Sequence, residues 1–145
     1  MPKELNKDAL IQSLSNLLIK HEGLRLKPYL DSVGKLTIAV GRNLDDNGIR
    51  HVEAIMMLEN DIDEVLTSLE PLDFYARCNN ARRLVLADMC FNMGLPRLLG
   101  FKKMIAALRS GNWYLAAKEM LDSKWAGQVG KRALYLSDIM REGKL

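Results

Sequence analysis

Glu22 and Asp31 stand nine residues apart, and Thr37 follows shortly after the aspartate. Two carboxylates held across a cleft with a hydroxyl between them are the minimal equipment for cleaving a glycosidic bond. One carboxyl stays protonated as the acid, while the other remains ionised to position a water or offset positive charge. Each residue also has a plainer use: a solvated glutamate beside a helix stop, an aspartate in a turn, a threonine in a strand. Spacing alone leaves both readings open. Other chemistries find less support. His21 and His51 are the two histidines, and no Cys, His and carboxylate cluster has metal-ligand spacing. There is no Gly-x-Ser-x-Gly elbow and no phosphate loop. No metal and no organic cofactor is expected.

The elements around these residues follow from local signals. Leu10, Ile11, Leu14, Leu17 and Leu18 form a helical stripe, and Gly23 is its stop, which places Glu22 in the last turn. A helix C-terminus disfavours added negative charge, and burial would act the same way, so both would favour the proton a donor needs. Pro28 blocks helix, Asp31 to Gly34 reads as a turn, and Lys35 to Val40 reads as a short strand. Gly41 and Asp45 to Gly48 mark a further tight loop. From Ile49 the pattern turns helical, with a long helix ending at Pro71. A helix capped by Asn79 or Asn80 then runs to Gly94 and Pro96, and shorter helices follow at about 101–109, 113–122 and 128–140. The expected fold is α+β and mainly α: a small N-terminal lobe with a short β-hairpin and a helical C-terminal lobe.

With 145 residues the chain is one domain, large enough to bury a real core. Its net charge of +3 is mild, and its 21 basic residues are spread along the chain rather than gathered in a stripe, which argues against a nucleic-acid binder. Residues 1–9 show no apolar run behind a basic start, so no secretory leader is expected. No apolar stretch approaches the ~20 residues needed to span a bilayer, so membrane insertion is not expected either. If Cys78 and Cys90 share one helix, they lie ~18 Å apart, beyond bridging distance. Two free, mostly buried thiols are expected, as in a reducing compartment.

The full string from Glu22 reads Glu-Gly-Leu-Arg-Leu-Lys-Pro-Tyr-Leu-Asp-Ser-Val-Gly-Lys-Leu-Thr-Ile. It resembles the active-site segment of the phage-type lysozymes, glycoside hydrolase family 24. The likeness continues through Phe91-Asn-Met-Gly94, Gly100-Phe101 and Ser123-Lys-Trp125 to Gln128 and Arg132-Ala133, in the family's order. The resemblance implies one lysozyme domain over residues 1–145. Its N-terminal lobe, with hairpin and active site, would cover about 10–60 and its helical lobe 61–145, with the first helix packing on the latter.

By that resemblance Glu22 is the general acid, while Asp31 and Thr37 hold a water on the opposite face. This implies inversion, with carboxyl groups roughly 6.5–9.5 Å apart. Arg132 matches a late arginine that lies near the family's catalytic glutamate; the alternative is a surface arginine on the last helix. Phe91 is either a cleft-lining aromatic that touches substrate or a core residue. Trp113 and Trp125 are expected in the C-terminal core, and Arg25 is expected to support carboxylates around the hairpin. Three departures from the family pattern stand out: Ala39 replaces a common glycine, Arg42 replaces the type member's histidine, and the loop from Arg42 to Ile49 is short.

The activity implied is hydrolysis of the β-1,4 bond between N-acetylmuramic acid and N-acetylglucosamine in peptidoglycan, serving wall degradation and host lysis. The implied partners are peptidoglycan glycan strands and a holin that releases a monomeric enzyme from the bacterial cytoplasm. Two alternatives share the scaffold. A lytic transglycosylase uses one acid/base group, which the presence of Asp31 and Thr37 disfavours. An inactive wall-binding module would not need all three residues.

Overall fold

The computed structural model describes residues 6–145. Residues 1–5, on which part of the leader expectation falls, lie outside the described residues. The chain forms two compact units, Met1–Ala54 and Ile55–Leu145.

In the first unit, α1 spans Lys7–Glu22. The Asn6 side chain opens it by accepting from the Ala9 N–H at 2.8 Å. Gly23 closes it at φ +78°, its N–H donating to the Ile19 carbonyl. Three antiparallel strands follow in the order β1 (Arg25–Leu30), β2 (Leu36–Ala39) and β3 (Arg42–Asn43). The expected hairpin thus gains a third strand. Register pairs Tyr29 with Thr37 and Leu30 with Leu36, then slips between Tyr29 and Arg25. Pro28 lies in that slip, where the missing N–H costs no ladder bond.

Residues 44–47, expected as loop, form one helical turn, α2 (Leu44–Asn47). Asn43 and Asp46 make it. The Asn43 side chain accepts from the Asp46 N–H at 3.0 Å, and its amide donates to the Asp46 carboxylate at 2.8 Å. α3 (His51–Leu69) begins in this unit and continues in the second.

The second unit holds the core. Seven helices follow α3: α4 (Asp73–Ala76), α5 (Asn80–Met93), α6 (Leu95–Leu99), α7 (Lys102–Arg109), α8 (Trp113–Leu121), α9 (Lys124–Val129) and α10 (Lys131–Glu142). α8 packs on both α7 and α10. Val85, Leu86, Met89, Leu98, Leu108, Met120, Leu136 and Met140 are among the residues sealed inside. Pro96 does not end α5 but opens α6, where a first-turn proline loses nothing because its N–H would lack a partner. The helix expected over 128–140 divides at Gly130, whose φ of +58° closes α9 before α10 starts.

Arg82 is the buried cation of this unit. Its Nε donates to the Met140 carbonyl at 2.7 Å and its Nη2 to the Arg141 carbonyl at 3.2 Å, while its guanidinium stacks 4.2 Å from the Trp113 ring. It thereby satisfies end-of-helix acceptors of α10 that the helix cannot satisfy itself. Cys78 lies just ahead of α5 and Cys90 on it; both are free, buried thiols.

Candidate active site

Glu22 is the last residue of α1, and its side chain is exposed. It lies beside the turn between β2 and β3. A Cβ built at Gly41 would stand 3.0 Å from Glu22 Oε2 and 3.2 Å from its carboxyl carbon. The carboxyl therefore rests close against backbone that carries no side chain, and a Cβ there would make the exposed glutamate shift by a few tenths of an ångström. Gly41 also sits at φ +67°, which L side chains rarely adopt.

Asp31 and Thr37 are joined through the backbone of one residue, Lys35. Asp31 Oδ1 accepts from the Val33 and Lys35 N–H groups, both at 2.9 Å. The Lys35 carbonyl accepts from the Asp31 N–H at 2.9 Å and from Thr37 Oγ1 at 2.9 Å. This Asx-type turn fixes the carboxylate by one oxygen. Thr37 is 3% exposed, and its hydroxyl proton is directed to the Lys35 carbonyl, so its oxygen faces any further partner as an acceptor.

A second layer braces β2. Asp45 accepts from the Leu36 N–H at 2.7 Å, and the Lys35 ammonium pairs with Asp46 at 3.1 Å. Arg42 forms a two-pronged pair with Glu53, Nη1 to Oε1 at 2.8 Å and Nη2 to Oε2 at 2.9 Å. That hydrogen bonding, helped by the Arg50 N–H, holds the Glu53 carboxyl down at about 2. Sequence reasoning missed Gly41, Asp45 and Glu53. Gly41 follows a strand and precedes a charged residue, as many turn glycines do, while Glu53 needed the third strand to bring Arg42 within reach.

Two expectations take a different form. Arg25 makes no ion pair among the described residues; its guanidinium lies 4.2 Å from the Tyr29 ring, a cation–π contact. Ala39, where glycine is common, does occupy a glycine conformation at φ +59°.

The remaining candidates lie in the second unit. Arg132 donates through Nε and Nη2 to Asp88 Oδ1, at 2.9 and 2.6 Å. Phe91 is half exposed and lines an apolar groove of about 640 Å³ with Leu58, Ile62, Leu66 and Leu84. Trp125 is core, edge-on to Phe101 with its Nε1 donating to Asn92 at 3.1 Å, and Trp113 is partly buried beneath Arg82. Among the described residues, no cluster of His, Cys, Asp and Glu has the arrangement of a metal site, and no helix is long and apolar enough to cross a membrane.

A terminal-turn glutamate beside the Gly41 turn, with an aspartate and a threonine bonded to one residue of the β1–β2 hairpin in a mainly helical chain, fits a protein of lysozyme type. The phage lysozyme family model matches residues 19–138, and the chain belongs to that family. Among curated proteins it is similar to the pre-baseplate central spike protein Gp5 of Enterobacteria phage T4, 26% identical over 92% of this chain. The chain spans only 28% of the spike protein's length. It is also similar to two probable T4-type lysozymes of Dictyostelium discoideum, at 26% and 25% identity, each match covering 94% of this chain and 98% of the relative.

Proposed function

We propose that the protein hydrolyses the β-1,4 bond between N-acetylmuramic acid and N-acetylglucosamine in peptidoglycan. The observation that carries this reading is the bonding of the Asp31 carboxylate and the Thr37 hydroxyl to the backbone of a single residue, Lys35, in a chain of the phage lysozyme family. Glu22 protonates the leaving glycosidic oxygen. The free Asp31 oxygen and the Thr37 hydroxyl hold a water on the opposite face of the sugar, and Asp31 accepts its proton as it attacks. A water placed by two fixed acceptors gives inversion at the anomeric carbon. Fixing Asp31 Oδ1 by two backbone N–H groups keeps that carboxylate from swinging, so it loses no freedom when the water is bound.

Phe91 offers an apolar face to substrate, and Arg132 holds its part of the second unit through Asp88. The biological role we infer is wall degradation and host lysis, with release from the bacterial cytoplasm by a membrane-permeabilising partner such as a holin. Clearing of permeabilised Gram-negative cells by the wild type, Glu22→Gln and Asp31→Asn tests the mechanism, with folding confirmed by circular dichroism. Clearing by the wild type alone is expected. Loss in Glu22→Gln only, with anhydro-muropeptides one water lighter in the products, would point to a lytic transglycosylase. A folded wild type that binds wall without clearing would point to a wall-binding module.

A further inference from the structure

Asn47 ends α2 and is followed by Gly48, the sole Asn-Gly pair in the sequence. The side-chain carbonyl carbon of an asparagine and the backbone nitrogen of the next residue can close a five-membered ring. A following glycine, which has no Cβ, hinders that closure least. The surroundings of Asn47 leave its side chain accessible. The residue is exposed, its side-chain amide enters no hydrogen bond among the described residues, and nothing lies within 4 Å of where a Cβ on Gly48 would stand. Other asparagines are held. The side-chain oxygens of Asn6, Asn43, Asn79 and Asn112 accept from helix N–H groups, and that of Asn92 accepts from Trp125. The bond that opposes ring closure runs from the Gly48 N–H to the Leu44 carbonyl at 3.0 Å. It closes a single turn of four residues, and so short a turn opens at little cost.

We propose that Asn47 is a self-modification site that converts to isoaspartate, and that the conversion releases the brace which α2 places on β2. The Gly48 nitrogen gives its proton to hydroxide and attacks Asn47 Cγ. The N–Cγ bond forms, the Cγ–Nδ2 bond breaks, and ammonia leaves with a proton taken from water. Water then opens the succinimide at either carbonyl, giving aspartate, or isoaspartate with the main chain rerouted through Cγ. Both products add a negative charge beside Asp45 and Asp46, but only isoaspartate also adds a methylene to the backbone. That methylene displaces Gly48, whose N–H closes α2 and whose carbonyl accepts from Arg42 Nη1 at 3.4 Å. In the same turn Asp45 holds the Leu36 N–H and Asp46 holds the Lys35 ammonium. The change therefore reaches the residue that joins Asp31 to Thr37. Neither step depends on hydrolase activity.

The test ages the full chain at mildly alkaline pH and physiological temperature, then digests it with trypsin at mildly acidic pH, where ring closure is slow. Cleavage after Arg42 and Arg50 releases residues 43–50. That peptide should grow heavier by the exchange of NH for O before any other asparagine peptide does, and should accept a methyl group from an isoaspartyl methyltransferase. Asn47→Gln, whose ring closure is six-membered and slow, should show neither change. A synthetic peptide of residues 43–50 sets the unrestrained rate. A folded chain left unconverted while that peptide converts would overturn the site, as would another asparagine converting first. Amide hydrogen exchange at Leu36, whose N–H Asp45 holds, reads the brace. It should quicken roughly three- to tenfold in the purified isoaspartyl form, the share of one hydrogen bond. Asn47→Asp, which carries the charge on an unlengthened backbone, should exchange as the wild type does. Exchange in the isoaspartyl form no faster than in Asn47→Asp would overturn the release of the brace.

Discussion

Glu22 Oε2 lies 3.0 Å from the point where a Cβ on Gly41 would stand, so the carboxyl of the candidate acid is seated on main chain. Contacts that close leave the neighbour to give way. Gly41→Ala should therefore displace the Glu22 carboxyl and strain a backbone held at φ +67°. The expected stability loss is about 1–2 kcal/mol. The activity loss should be larger, tenfold or more by the arithmetic of a small misplacement. Rates on peptidoglycan beside thermal melts separate the two effects; a loss of stability with full activity per folded molecule would show that the carboxyl has another seat.

Asp31→Asn and Asp31→Ala should differ. The amide keeps an oxygen for the Val33 and Lys35 N–H groups, so Asp31→Asn should be inactive yet nearly as stable as the wild type. Asp31→Ala leaves both donors without that acceptor and should lose a further ~1–2 kcal/mol. Urea unfolding of the pair measures the difference, and equal stabilities would mean that the turn holds itself.

The Arg42–Glu53 pair sets an acid limit on the hairpin. The Glu53 carboxyl is held at about 2 in the folded protein against an ordinary value of 4.5. A depressed carboxyl contributes stability above its unfolded pKa and loses it as pH falls through the folded one. The pair should act fully at pH 7 and fade between about pH 4.5 and 2. Melting temperatures of wild type and Glu53→Gln should differ at pH 7 and converge near pH 2. Parallel curves across that window would count against the pair.

Ala39 occupies the left-handed region at φ +59°. Ala39→Gly should relieve strain of about 1–2 kcal/mol and return part of it through the freer unfolded chain, a net gain of roughly 0.5–1 kcal/mol. A melting temperature at or below that of the wild type would show that the alanine methyl contributes packing that offsets its backbone strain.

Arg82→Leu should cost about 2–3 kcal/mol, because the Met140 and Arg141 carbonyls lose charged donors and Trp113 loses its stacking cation. Arg82 lies outside the candidate active site, so specific activity of the folded fraction below the melting range should hold. A melt unchanged by the substitution would mean that water replaces the guanidinium without penalty.

Local signals carried the elements well. Gly23 stops α1 where its φ of +78° demands glycine, and Asn79 caps α5 by accepting from the Arg82 N–H. Pro96 reads in the sequence as part of a helix stop, but proline also starts helices, and after the Gly94 turn at φ +85° it opens α6. The third strand is two residues long, too short for any alternation to register. Glu22, Asp31 and Thr37 were legible as a motif, since their spacing reflects one helix end and one hairpin. Gly41 and Glu53 were not, because each acts through a contact that exists only once the sheet has formed. Arg132 bonds Asp88, a partner 44 residues away that no local pattern marks.

Lys35 joins Asp31 to Thr37 with its amide and its carbonyl, while its own side chain points to Asp46 at the surface. An alanine scan would pass over this position almost silently, though it is the linchpin of the hairpin. Two replacements would expose it. Proline at 35 deletes the N–H that Asp31 holds, and an amide-to-ester exchange between residues 35 and 36 weakens the carbonyl that Thr37 uses. Most side chains at this position should thus cost little beyond the surface pair with Asp46, while the two peptide groups that flank the residue hold the hairpin.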